Sequence, residues 1–289
     1  MSSTRTPVEF PSADGTLRLH AEIWGHENAP LTLLCLHGLT RNGADFGALA
    51  QRLSVRYRVI TADQRGRGLS AWDANPANYQ PGIYVNDMFR LLDQLAIPRV
   101  VLIGTSMGGI MSLIMAAAQP ARVQAMVLND IGPEVPNSGL RRLRDSLSIP
   151  ARIDTWQDAA AQAQRVNGPA FPDYAAADWL VFARRTYTDQ GASHPVPAYD
   201  PNILKGLNET DLTAVPPNLW SVWDALGSIP TLALRGELSD ILSAEIFADM
   251  AARRPNLITV NIPNRGHAPM LDEPAATTAI DVFLDHLQS

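Results

Sequence analysis

The segment that most restricts how this chain folds is Gly104-Thr105-Ser106-Met107-Gly108-Gly109, because of what flanks it. The apolar run Arg99-Val100-Val101-Leu102-Ile103 comes before it, and Ile110-Met111-Ser112-Leu113-Ile114-Met115-Ala116-Ala117-Ala118 comes after. That succession predicts a buried strand turning at once into a helix, with a serine at the corner. Small residues on both sides let strand and helix approach closely, in a strained turn. The hydroxyl is then lifted clear of the backbone, and the helix N-terminus favours negative charge developing beside it. The spacing is the G-x-S-x-G pattern of an exposed serine nucleophile.

A serine attacks poorly until a base takes its proton, so a histidine and an acid are required. Ile229-Pro230-Thr231-Leu232-Ala233-Leu234 reads as a strand, and the loop Arg235-Gly236-Glu237-Leu238-Ser239-Asp240 follows it. Leu257-Ile258-Thr259-Val260-Asn261-Ile262 is the next strand, followed by Pro263-Asn264-Arg265-Gly266-His267. Both loops lie beyond the carboxyl ends of strands, the edge at which open α/β sheets bind ligands. His267 is the expected base and Asp240 the acid expected to fix its tautomer. Asp130, after the strand Ala125-Met126-Val127-Leu128, is the rival acid. Of the other histidines, His20 lies in an early strand, His286 in a C-terminal helix and His194 in a Gly/Ser/Pro segment. An acyl-transfer site also needs donors for its oxyanion. The amide of Met107, just after the nucleophile, is one candidate. The amide of Leu39, in the loop His37-Gly38-Leu39-Thr40, is the other. A structural hydrogen bond shaping that loop is the role expected for His37.

These residues resemble the α/β-hydrolase superfamily, in its cap-bearing branch of cofactor-free serine hydrolases. The resemblance runs nearly end to end. It takes in His37-Gly38, Asp63-Gln64-Arg65-Gly66-Arg67-Gly68-Leu69-Ser70, the elbow, Asp130-Ile131-Gly132-Pro133, Asp240 and Gly266-His267. It implies an α/β fold with a mostly parallel, twisted sheet of about eight strands, covered by helices and bearing a helical cap. In relatives the D-x-R-G-x-G-x-S segment borders the site, which makes Asp63, Arg65 and Ser70 structural. Aspartate-nucleophile members of the fold, the haloalkane dehalogenases and epoxide hydrolases, are disfavoured by serine at position 106.

Alternation of strand and helix holds along most of the chain. An antiparallel start is expected around Asp14-Gly15, and a helix around 85–95 with Val85, Met88, Leu92 and Leu95 on one face. Alternation fails between Pro133 and Leu226, a stretch rich in aromatics and punctuated by proline. Residues 133–226 are therefore expected to form the cap, hinged near Pro133–Asn137 and Pro216–Ser221. Residues 1–132 and 227–289 form the core. Most of the cap's aromatics should glue it to the core, whereas Trp179, Phe182 and Trp220, with Met270, are the expected pocket residues. No cluster of arginines converges obviously on the elbow.

Composition narrows the partners. In 289 residues the net charge is −6, a modest acidity that argues against nucleic acid and anionic membrane. Cys35 is the sole cysteine and sits inside an apolar strand, so no disulfide can form within the chain. No metal-binding spacing occurs, and neither metal nor cofactor is expected. The N-terminal residues lack the apolar core of a secretory signal and nothing is long enough to span a bilayer, so a cytoplasmic monomer or homodimer acting on a small molecule is expected. The expected reaction is hydrolysis of a small to medium apolar carboxylic ester through an acyl-enzyme. C–C bond hydrolysis of ring-fission diketones is the alternative within the fold, although Ala268 stands where that group usually carries tryptophan. A non-catalytic receptor for a small ligand is the alternative outside enzymology.

Overall fold

The computed structural model describes residues 5–147, 152–189, 191–205 and 218–288. Strands run in chain order as β1 (Arg5–Pro11), β2 (Arg18–Trp24), β3 (Thr32–Leu36), β4 (Arg58–Asp63), β5 (Val100–Thr105) and β6 (Val123–Asn129). Two short strands, β7 (Tyr187–Thr188) and β8 (Val196–Pro197), come next, and then β9 (Thr231–Gly236) and β10 (Ile258–Ile262). All but the short pair form one eight-stranded sheet, in the order β1-β2-β4-β3-β5-β6-β9-β10. The β1–β2 hairpin is antiparallel and joins β4 antiparallel; every later neighbour is parallel.

Burial on both faces explains why the central strands read as unbroken apolar runs. In β5, Leu102 packs into one core while Val101 and Ile103 pack into the other, as a two-residue period requires. The first core lies under α2 (Pro81–Gln94) and α3 (Met107–Ala118), and the second under α1 (Gly47–Leu53) and the C-terminal helix. In α2 the expected stripe is present: Val85, Met88 and Leu92 are buried and Leu95 is half-buried at its end. Pro81 starts that helix, at a position where the missing N–H has no intrahelical partner to lose.

After β6 the chain leaves the sheet, returning at Thr231. The intervening segment carries α4 (Asn137–Leu147), α5 (Trp156–Asn167), α6 (Ala176–Thr186) and α7 (Trp220–Ala225). Helices α8 (Ala244–Arg253) and α9 (Pro274–His286) complete the core. Helices α5 and α6 share a small core of Ala159, Ala160, Ala163, Phe171, Trp179, Phe182 and Ala183. The β7–β8 pair was not legible as strand in the sequence, and each member is two residues long. The segment's two ends meet, since the Leu219 amide donates to the Pro133 carbonyl at 2.6 Å. Of the expected second hinge, Pro216 and Pro217 lie outside the described residues. Beyond β8, the amide of Gly68 donates to the Ala198 carbonyl and that of Asp200 to the Gly66 carbonyl, which seams the segment to the loop after β4. Among the described residues, no helix is long and apolar enough to cross a membrane.

Candidate active site

Ser106 is the N-cap of α3, with φ 54° and ψ −118°, left-handed backbone that a side-chain-bearing residue rarely adopts. The turn is closed by Ser106 N–H donating to the Asn129 carbonyl at 3.0 Å and by Gly109 N–H donating to the Ser106 carbonyl at 2.8 Å. Close approach requires glycine here: a Cβ on Gly108 would lie 1.9 Å from the Leu36 carbonyl oxygen, and one on Gly104 2.4 Å from that of Gly108. The elbow is therefore built as its sequence predicts.

His267, in the loop after β10, reaches Ser106 Oγ with Nε2 at 2.8 Å. Its Nδ1 lies 2.8 Å from Oδ2 of Asp130. With Nδ1 protonated, the imidazole donates to the carboxylate and accepts from the serine hydroxyl, the tautomer a general base needs. This corrects the expectation for the acid: Asp130, not Asp240, orients His267. Asp130 follows β6, is fully buried and has φ 56°. Its Oδ1 accepts from the Gly236 amide at 2.7 Å and its Oδ2 from the Ser239 hydroxyl at 2.6 Å. Ser239 Oγ also accepts from the amides of Ile241 and Leu242. The loop after β9 thus folds back over Asp130 and turns the next side chain outward. Asp240 instead pairs with Arg142 of α4, its Oδ1 accepting from Nη2 at 2.9 Å, and both side chains are about 40% exposed.

Met107 holds the first helical position of α3, where an amide has no partner within the helix. Gly38 lies beside Ser106, where a Cβ on it would sit in ordinary contact 3.7 Å from the serine Cβ. Leu39 lies beside it, on the same cavity wall as Ser106 and His267. His37 shapes this loop as expected: Nδ1–H donates to the Gly38 carbonyl at 2.8 Å and Nε2 accepts from the Gln64 amide at 3.1 Å. Burial, helped by the charge of Arg67, pushes its pKa down to about 4, so the ring is neutral. The segment after β4 is structural in the residues named for it. Asp63 accepts from the Gly43 and Leu69 amides, Arg65 forks onto Asp87 at 2.8 and 2.9 Å, and Ser70 Oγ donates to the Asp63 carbonyl.

Above the serine lies a cavity of about 180 Å³, enclosed by the core on one side and by α4, α5 and α6 on the other. Of the residues named from the sequence, Phe182 and Met270 line it; Phe171, Tyr187 and Leu143 also line it and were not singled out. Trp179 and Trp220 do not line it. Trp179 is buried within the α5–α6 core, edge-on to Phe171 and Tyr174. Trp220, at the base of the inserted segment, donates from Nε1 to Glu134 at 2.7 Å beneath Arg253. Both rings pack the segment, the commoner use of an aromatic. Two arginines reach the cavity, although no cluster of arginines was legible around the elbow. Arg142 comes from α4, and Arg41 lies 4.0 Å over the Phe182 ring with Nε and Nη2 each 2.6 Å from Asp45. Their long side chains bring in charges from positions distant in sequence, which spacing along the chain does not reveal. His194 lies exposed beside Ser193, away from this cavity.

Known proteins share this architecture. A crystal structure of an α/β hydrolase from Novosphingobium aromaticivorans superposes with a TM-score of 0.89 at 42% identity, covering 97% of this chain and 98% of that one. A 3-hydroxybutyrate-oligomer hydrolase of Cupriavidus necator is 32% identical over 274 residues, 93% of each protein. A 2-(acetamidomethylene)succinate hydrolase of Mesorhizobium japonicum is 30% identical over 257 residues, 88% of this chain and 87% of that one. Residues 33–280 match the model of the alpha/beta hydrolase family. With the sheet order, the serine elbow and the histidine beyond β10 already in place, this chain belongs to the alpha/beta hydrolase family and is a hydrolase.

Proposed function

We propose that the chain is a serine carboxylic ester hydrolase whose catalytic triad is Ser106, His267 and Asp130. The observation that carries this reading is the unbroken hydrogen-bonded path from Ser106 Oγ through His267 to Asp130, opening on one cavity. His267 Nε2 takes the serine proton as Oγ attacks the ester carbonyl carbon, and buried Asp130 stabilises the imidazolium. The amides of Leu39 and Met107 receive the charge that develops on the carbonyl oxygen. The tetrahedral intermediate collapses by expelling the alcohol, which takes the proton from His267. Water, activated by the same imidazole, then cleaves the acyl-enzyme.

The inserted segment of residues 133–226 acts in this reading as a cap that excludes water and sizes the pocket. A small to medium ester with an apolar acyl part suits walls made by Phe182, Phe171, Met270 and Leu143. The oligomer hydrolase of C. necator points to short oligoesters of hydroxy acids as substrates to try. Such chains end in a carboxylate, and the cavity's cationic side chains, Arg41 and Arg142, are suited to that end.

The test is hydrolysis of p-nitrophenyl esters of graded acyl length and of 3-hydroxybutyrate dimer and trimer, by the wild type and Ser106→Ala. Turnover that falls by about 10⁴-fold or more in the mutant is the expected result. Turnover that survives the substitution would overturn the nucleophile assignment. Failure of the wild type on every ester would overturn the ester reading and leave C–C cleavage or ligand binding to be examined.

A further inference from the structure

Arg67 is a buried charge to which the sequence assigned no role. Its side chain is fully buried, with Asp200 acting on it as an opposing charge from beyond the Tyr79 ring. Burying a guanidinium with no direct ion pair is costly, and burial lowers its pKa despite the charge of Asp200. A lysine-like point charge would not make the contacts that Arg67 makes, which use all three nitrogens. Nε donates to the Leu39 carbonyl at 2.9 Å, Nη1 to the Arg65 carbonyl at 2.9 Å, and Nη2 points at Met107 Sδ at 3.9 Å. The plane lies 4.7 Å from the centre of the Tyr84 ring and 5.7 Å from that of Tyr79. Two of these contacts fall on the residues whose amides are assigned to the oxyanion. The Leu39 carbonyl fixes the peptide plane on one side of that residue. The Gly38 carbonyl, held by His37, fixes the plane that carries the Leu39 amide, so the loop is pinned on both sides of the donor.

We infer that Arg67 is the positioning residue of the oxyanion site: it clamps the Leu39 loop against Met107 and places a buried positive charge behind both donors. This inference rests on the ester-hydrolase reading above. Its reach extends to the cap. The backbone of Arg67 pairs with that of Tyr199, a cavity-lining residue of the inserted segment, and the flanking Gly66 and Gly68 bond to Asp200 and Ala198. Tyr79, stacked near the guanidinium, donates from its hydroxyl to Asp200 at 2.6 Å. One short loop therefore touches the cap, the oxyanion loop and the first residue of α3. The arrangement is the preorganisation that electrostatic catalysis depends on, because donors held in place need not reorganise as charge develops.

The test compares wild type with Arg67→Lys and Arg67→Met on a p-nitrophenyl ester. Rates are expressed per Ser106 site titrated with a fluorophosphonate, in which Oγ displaces fluoride at phosphorus. Arg67→Lys keeps a cation and an alkyl stem, so it reports even where Arg67→Met does not fold. Loss of a single oxyanion donor costs about 10²- to 10³-fold in kcat, and loss of the clamp is expected to cost about 100-fold in both variants, with KM changed less than about threefold. A trifluoromethyl ketone adds Ser106 Oγ to its carbonyl carbon, passes the proton to His267 and leaves an oxyanion. Its inhibition constant is expected to rise in parallel with the fall in kcat/KM, a readout that a loss of stability alone would not move. Arg67→Lys with wild-type kcat and wild-type inhibition, per titrated site, would overturn the inference while leaving the hydrolase reading intact. A wild-type protein that neither hydrolyses esters nor reacts with the fluorophosphonate would overturn the hydrolase reading, and this inference with it.

Discussion

Ser106 and Asp130 share a conformational signature: each lies just past the end of a parallel strand with φ above 50°. Such backbone costs about 1–3 kcal/mol per residue and persists only where its surroundings hold it, as amide bonds to neighbouring strands do here. Ser106 N–H is held by Asn129 and Asp130 N–H by Leu234. Replacing Asp130 by asparagine keeps the shape but lets an amide NH₂ face His267, which favours the wrong tautomer. Asp130→Asn is expected to lower kcat by about 10³- to 10⁴-fold. Asp240→Asn removes a half-exposed ion pair with Arg142 and is expected to leave kcat within about threefold. Steady-state kinetics of both variants decide the matter, and a large loss confined to Asp240→Asn would restore that residue as the acid. Spacing placed both acids beyond strand ends on the same sheet edge. What separates them is Ser239, whose hydroxyl ties the β9 loop down onto Asp130, and that bond is made across 109 residues of chain. A long-range hydrogen bond of this kind leaves no periodic trace in a sequence.

At the level of elements, the elbow depends on α3 lying against the end of β3. The Leu36 carbonyl oxygen occupies the space that a Cβ on Gly108 would need, and backbone cannot move aside as a flexible side chain can. Gly108→Ala is therefore expected to destabilise the fold by about 3 kcal/mol or more, measured as a shift in the urea midpoint at constant slope. A loss below about 1 kcal/mol would mean that β3 and α3 separate easily, and the rigidity assigned to the elbow would fall. The core elements were legible because apolar period and burial agree: continuous runs made central strands, and spacings of three and four made the stripe of α2. The inserted helices were legible as helices but not in orientation. Trp179 and Phe182 lie three positions apart on one face of α6 and both enter the small α5–α6 core. Only Phe182, nearer the end of the helix, also reaches the cavity, a difference of depth that the spacing does not carry.

For the whole molecule, the most readily measured consequence of this architecture is how stability depends on pH. His37 and His20 pull in different windows. His37 is buried neutral, and its native pKa of about 4 lies below the unfolded value near 6.5. Between those values the unfolded chain binds a proton that the native one does not, so stability falls as pH drops, by roughly 3 kcal/mol across the window. His20 has the opposite sign. Its Nδ1 lies 3.0 Å from Asp63, and that hydrogen bond raises its native pKa above 6.5, against burial and the charge of Arg5 and with help from Glu22. Its contribution is complete below 6.5 and is lost as pH rises through the raised native value. The two together place a maximum near pH 6.5, with ordinary carboxylates titrating below the window of interest. Urea midpoints at pH 5, 6.5 and 8 are expected to be highest at 6.5. In His20→Gln the decline toward pH 8 should disappear while the decline toward pH 5 persists, because Asp63 then has no titrating partner and His37 is untouched. A profile flat from 6.5 to 5 would show that His37 takes up its proton without unfolding. The neutral ring that holds the Leu39 loop would then have to bond in a second way, with Nε2 no longer able to accept from Gln64.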